Sequence, residues 1–176
     1  NKPAHVEALE IAGPGFVNFR LAPTWLYEVM TDIVDEGEAN FGRQDFGGGK
    51  TVNIEFVSAN PTGPLHAGGG RWGAYGDSLA RIMKHCGYAP HKEYYINDRG
   101  NQTVLFGQSL VARRDGTELP ENGYQGEYVA EWAAEMPADV DPTAWGLARA
   151  VADVRDALGS MHVEYDTWSS EQALVD

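Results

Sequence analysis

The chain has 176 residues, 43% hydrophobic and 22% charged, which is enough to bury a globular core and argues against a disordered chain. Twenty-six acidic residues against 13 basic ones give a formal charge of -13, which excludes a broad phosphate-neutralising surface and leaves only local contact with nucleic acid. The single cysteine, Cys86, excludes an intramolecular disulfide and fits a reducing compartment, with cytoplasm the expectation, and no apolar run approaches the roughly 18 residues of a membrane span.

In chain order, "HVEALEIAGPGFVNFRLAP" carries β-type residues broken by "GPG" and predicts two short strands about a turn. An amphipathic helix follows from Thr24 to about Val34. "DEGEANFGRQDFGGGK" gathers glycine and charge without periodicity and reads as a linker, so a boundary falls there. Asn1 opens the chain with no initiator Met, basic segment or apolar signal core, and the front reads as the tail of another unit in an excised piece.

"TVNIEFV" predicts a strand of buried type. Trp72, Tyr75, Leu79, Ile82, Met83 and Cys86 then recur at helical spacing, predicting a helix from about Gly69 to Cys86 with Gly87 as its stop. "HKEYYIN" from His91 predicts a second strand, so the natural closure is a right-handed βαβ unit with parallel strands. Helices are expected over "NQTVLFGQSLVARR", over "YQGEYVAEWAAEM" and from about Pro142 to Leu158, and "HVEYDTWSS" predicts a further strand. The sum is an α/β fold whose parallel sheet is interrupted by a helical insertion.

The chemistry concentrates in "SANPTGPLHAGGGRWGAYG". Gly68, Gly70 and Gly73 match G-x-G-x-x-G at the mouth of a helix, as a dinucleotide fingerprint does. In that motif, however, the first glycine follows the strand almost directly and an acid follows about twenty residues on, whereas here a long loop intervenes and Asn97-Asp98 comes later. A histidine just before the glycines fits a different motif. "IEFVSANPTGPLHAGG" resembles the H-x-G-H signature region of class I aminoacyl-tRNA synthetases, in its arginyl-tRNA synthetase version. "GDSLARIMKHCGY", "EYYINDRGNQ", "ENGYQGEYVAE" and "YDTWSSEQAL" resemble further stretches of the bacterial enzymes' catalytic region, and "EIAGPGFVNFRL" resembles the end of their N-terminal additional domain. One position departs: His66-Ala67-Gly68-Gly69 has glycine where the signature has its second histidine.

The resemblance implies a Rossmann-type class I fold, with residues 1–42 ending an N-terminal domain and 43–176 forming the first half of the catalytic domain. It implies activation of L-arginine with ATP, Mg2+ arriving on the ATP phosphates, and transfer to tRNA(Arg), with no tightly bound cofactor. No membrane is expected from the short apolar runs, and no protein-bound metal from the scattered His5, His66, His85, His91 and His162, which lack zinc-ligand spacing. His66, Gly68, Gly69 and Gly70 would contact ATP, with His66, Gly68 and Gly69 acting on the reacting phosphate. A histidine donor and glycine N–H groups at a helix N-terminus suit a phosphate. Glu55, Ser58, Asn60, Gly69 and Glu171 would bind arginine, since a guanidinium fork needs a carboxylate, although Asn60 before Pro61 also suits a turn and Glu171 a helix N-terminus. Asn97, Asp98 and Gln102 are further candidates to line the cleft, while alternating aromatics Tyr94 and Tyr95 fit core packing.

The family's second, lysine-rich phosphate loop has no counterpart before Asp176, so the chain is expected to be inactive alone. Two other readings stay open: a stand-alone binding or interaction module derived from a synthetase half-domain, and a small nucleotidylyltransferase, whose compact domain would not carry "GPGFVNFRL" in front.

Overall fold

The structure is a computed structural model describing residues 3–175. It divides into two compact units, Asn1–Gln44 and Asp45–Asp176. In the first, β1 (Val6–Ala12) and β2 (Phe16–Leu21) form an antiparallel hairpin, with Ala12 opposite Phe16. The "GPG" between them supplies the turn, and Gly13 and Gly15 both take positive φ. Helix α1 (Thr24–Glu36) follows. The His5 ring meets Thr24 Oγ1 at 3.1 Å and the Glu28 carboxylate at 2.8 Å, fastening the hairpin's start to that helix.

The second unit is built on a parallel sheet of β3 (Thr51–Glu55), β4 (Ala89–Ile96) and β5 (Thr167–Ser170), with β4 in the centre. Helix α2 (Ala67–His85) connects β3 to β4, the βαβ unit expected from the sequence. Helices α3 (Asn101–Asp115), α4 (Glu127–Glu135) and α5 (Pro142–Ser160) form the insertion before β5, and a 3₁₀ turn follows at Gln172–Leu174.

Two apolar cores meet along α5. Phe106, Leu110, Val129, Trp132 and Ala150 close one among α3, α4 and α5. Phe56, Tyr94, Ile96, Val154, Leu158 and Val163 close the other against the sheet. Phe106, Leu110 and Leu158 are wholly buried, each contributing roughly 1.5–3 kcal/mol of transfer free energy. Asp141 starts α5 by accepting the Ala144 N–H at 2.6 Å, with Pro142 in the first turn.

Four elements differ from the expectation. Strand β3 ends at Glu55, because Val57 and Ser58 take φ of 67° and 42° and Ser58 N–H folds back to the Phe56 carbonyl at 3.0 Å. Its face is also less buried than expected: Thr51, Asn53 and Glu55 are exposed, since among the described strands it pairs only with β4. Residues 162–166 are not strand, because His162 and Val163 N–H close the end of α5 on Gly159 and Leu158 carbonyls. Helix α4 starts only at Glu127, because Gly126 before it takes an extended, non-helical backbone with φ of -58° and ψ of 151°. Strand β4, by contrast, begins two residues before His91.

Candidate functional site

The loop over residues 56–66 leaves the carboxyl end of β3, the side of an open α/β sheet on which ligands bind. It delivers the chain to α2 through His66, the N-cap residue, whose backbone is extended. The His66 Nδ1 accepts the Gly69 N–H at 3.2 Å. With Nδ1 acting as acceptor, a neutral ring carries its proton on Nε2 and presents it as a donor. The Gly70 N–H continues the helix to the His66 carbonyl at 3.1 Å. Of the three glycine N–H groups expected to meet an anion, those of Gly69 and Gly70 are therefore engaged within the helix. Gly68, with Ala67 before it, keeps an N–H without a partner among the described residues.

Gly69 is buried beneath Leu65, and a Cβ there would lie 2.4 Å from Leu65 Cδ1. Any side chain at this position would have to displace the Leu65 methyl.

Three tyrosine hydroxyls hold the loop. Tyr165 donates to the Phe56 carbonyl at 3.1 Å, Tyr94 engages both the N–H and the carbonyl of Ala59 at 3.1 and 3.2 Å, and Tyr128 donates to the Thr62 carbonyl at 2.9 Å. Burial pushes the phenols of all three above the ordinary range, which keeps them protonated as donors. Tyr94 is buried and stacked on Trp168, as core packing predicts, yet its hydroxyl also serves the loop. Nothing in the sequence marks Tyr128 or Tyr165 for this work except that each is tyrosine and not phenylalanine.

Ser58, Asn60 and His66 line one cleft of about 570 Å³, together with Tyr124 and Tyr128 of the insertion. Ser58 Oγ accepts the Tyr95 N–H at 3.1 Å, and the Asn60 amide donates to Gln102 Oε1 at 2.7 Å. Glu55 opens instead on a second groove of about 340 Å³ beside Trp72, Tyr75 and Leu79, and Ser58 lines both. Glu171 lies past β5, its N–H on the Ile96 carbonyl at 3.0 Å. The Tyr95 phenol is raised first by burial and then by the charges of Glu171, Asp98 and Glu55, with Arg99 acting against them. Asn97 and Asp98 are not among the residues lining the main cleft. Asp98 instead accepts from Ser170 Oγ at 2.6 Å and from the Gln172 N–H at 2.9 Å, an arrangement that ties down the end of β5 and does not suit a ribose-binding acid.

No protein-family model matches the sequence. The arginine–tRNA ligase of Desulforamulus reducens is 44% identical over 190 residues, covering 97% of this chain and 34% of its own length. That of Acetivibrio thermocellus is 40% identical over 98% of this chain and 34% of its own. The chain is a homologue of the arginyl-tRNA synthetases. It spans about a third of the length of these curated relatives. A solved Campylobacter jejuni chain described as an arginyl tRNA synthetase superposes with a TM-score of 0.73 at 30% identity, over 87% of this chain and 37% of that one. The arginyl-tRNA synthetase of Thermus thermophilus, 24% identical with a TM-score of 0.53 over 99% of this chain and 31% of its own, shares the fold. The Rossmann-type α/β architecture expected from the sequence is therefore that of the arginyl-tRNA synthetases, and the loop over residues 56–66 leaves its parallel sheet at the carboxyl end of β3.

Proposed function

We propose that the chain is part of an arginine–tRNA ligase, with residues 1–42 ending an N-terminal domain and 43–176 forming the first half of a class I catalytic domain. The observation that carries this reading is the His66 cap: the histidine of "HAGG" stands at the cleft, with its Nε2 left to donate.

In the proposed reaction an arginine carboxylate oxygen attacks the α-phosphorus of ATP. A new P–O bond forms, the bond to the bridging oxygen breaks, and pyrophosphate leaves with the electron pair. A tRNA(Arg) ribose hydroxyl then attacks the carbonyl of arginyl adenylate and AMP leaves. No covalent enzyme intermediate is involved. Displacement at phosphorus depends on positioning and on donors aimed at the phosphate oxygens. His66 Nε2–H and the open N–H groups of Ala67 and Gly68 are suited to donate to those oxygens, and Mg2+ enters as part of the ATP substrate. Ser58 and Asn60 suit the amino-acid end of arginine, and Glu55 and Glu171 are the carboxylates for its guanidinium. Gly69 contributes close packing under Leu65, with its N–H committed to orienting His66. The setting is the cytoplasm; among the described residues no helix is long and apolar enough to cross a membrane.

The test is arginine-dependent ATP–pyrophosphate exchange. We expect none from the 176-residue chain by itself and activity from a longer enzyme that contains it. Exchange that is absent from the longer enzyme too would favour the second reading, a binding or interaction module without catalysis. The observation favouring that reading is Gly69 itself, which supplies no second imidazole and packs under Leu65.

A further inference from the structure

Two layers hold the signature loop, and they belong to different parts of the molecule. Tyr94 and Tyr165 rise from the sheet-side core and fix Phe56 and Ala59, next to the strand. Beyond Ala59 the far arm of the loop carries Asn60 and leads to His66. That arm is held at Thr62 by Tyr128, from α4 of the helical insertion. Tyr128 packs against the other core, edge-on to Trp132 at 5.1 Å, so the support is anchored by buried side chains. The contact is close: a Cβ on Gly63 would lie 2.9 Å from the Tyr128 hydroxyl and one on Gly126 2.4 Å from Tyr128 Cε1, so glycine on both sides makes room for the ring.

We propose that Tyr128 is a positioning residue for ATP and arginine binding, through which the helical insertion sets the far arm of the loop and with it the separation of Asn60 from His66. This role rests on the ligase reading only for the identity of the ligands. A side chain anchored in a second core and bonded to a loop carbonyl removes freedom from that loop before any ligand arrives, and preorganisation of this kind appears as affinity.

The experiment compares Tyr128→Phe with Tyr124→Phe in this chain, since Tyr124 lines the same cleft without a side-chain bond to the loop. Hydrogen exchange at the Thr62 amide, whose partner is the Asn60 carbonyl, reads order in the far arm without any ligand. The loss of one hydrogen bond is expected to speed it about fivefold in Tyr128→Phe, with Val129 and Trp132 amides in α4 unchanged and Tyr124→Phe like the parent. A role confined to stability would instead raise exchange across α4 and the loop together, and would overturn the proposal. ATP titration followed at the Gly68 amide is the second readout, with weakening of about fivefold expected in Tyr128→Phe. Unchanged loop exchange, or faster exchange with unchanged ATP affinity, also overturns the proposal. If the parent chain gives no saturable ATP response, the nucleotide reading of the site fails, and the exchange comparison alone decides whether Tyr128 positions the loop.

Discussion

Gly69 donates its N–H to Nδ1 of His66 at 3.2 Å, so one hydrogen bond both starts α2 and fixes which ring nitrogen faces outward. Stability and chemistry can therefore be separated at position 66. Asparagine is a good N-cap but cannot reproduce the Nε2 donor, whereas alanine loses both functions. His66→Ala should cost about 1 kcal/mol in urea unfolding of the chain, and His66→Asn should stay near the parent. In a longer ligase containing this segment, both should lower arginine activation by about 10²-fold, as loss of one transition-state donor does. Full activity in His66→Asn would reduce the histidine to a cap.

Gly76 faces Phe56 so closely that a Cβ would lie 2.2 Å from Phe56 Cγ and 2.8 Å from its Cβ. The ring's root cannot move without moving the backbone of the loop, so Gly76→Ala should destabilise by about 1–3 kcal/mol even after the helix-propensity gain of about 1 kcal/mol. At Gly69 the first clash is with Leu65 Cδ1, the free end of a flexible side chain, and Gly69→Ala should fall within about 1 kcal/mol of the parent. Urea midpoints for the two variants check the ordering; equal losses would mean that the loop yields as readily as a leucine methyl.

These contrasts mark what sequence could reach. The 3.6 period of Trp72, Tyr75, Leu79 and Ile82 announced α2, and those residues are nonetheless exposed on it, because periodicity reports a face without reporting what covers that face. The long approach to the glycines was legible as departing from a dinucleotide fingerprint, and Asp98 is accordingly committed to the end of β5. The end of β3 was not legible: Val57 is a β-branched residue of high strand propensity, yet it is held at φ 67° by the surrounding bonds to Phe56, Ser58 and Ala59. The loop's support was hidden for another reason. Tyr94, Tyr128 and Tyr165 lie 35, 66 and 109 residues from their carbonyl partners, and only folding brings them together.

Asp77, buried on α2, accepts from Arg81 Nε at 2.5 Å and Lys92 Nζ at 2.9 Å. Burial alone would raise its carboxyl, but hydrogen bonds and charge from Lys92 and Arg81 outweigh that and hold it below the ordinary range. A depressed folded pKa contributes stability that is fully present above the unfolded value of about 3.9 and is lost as pH falls through the folded one. Asp77→Asn should therefore destabilise the chain by about 1–3 kcal/mol at neutral pH, leaving Lys92 without its carboxylate. Its stability should also fall less steeply than the parent's below about pH 4. Parallel acid-side losses in parent and variant, followed by urea unfolding at several pH values, would show that this pair carries no linkage.

The same loop makes a prediction about which nucleotide it accepts. With Gly69 and Gly70 N–H engaged inside α2, a phosphate can be met at the helix N-terminus only by Ala67 and Gly68 N–H, with His66 Nε2–H beside them. A dinucleotide would need in addition a carboxylate at the end of the second strand able to receive ribose hydroxyls, and Asp98 already accepts two hydrogen bonds that fasten β5. ATP at high concentration should therefore shift the Ala67 and Gly68 amides and the His66 ring signals more than the Gly70 amide, while NADH produces no saturable change. The mutation His66→Asn should weaken the ATP response and keep the helix. Saturable NADH binding that perturbs Asp98, with ATP silent, would restore the G-x-G-x-x-G reading of Gly68, Gly70 and Gly73 and remove the phosphate role assigned to His66.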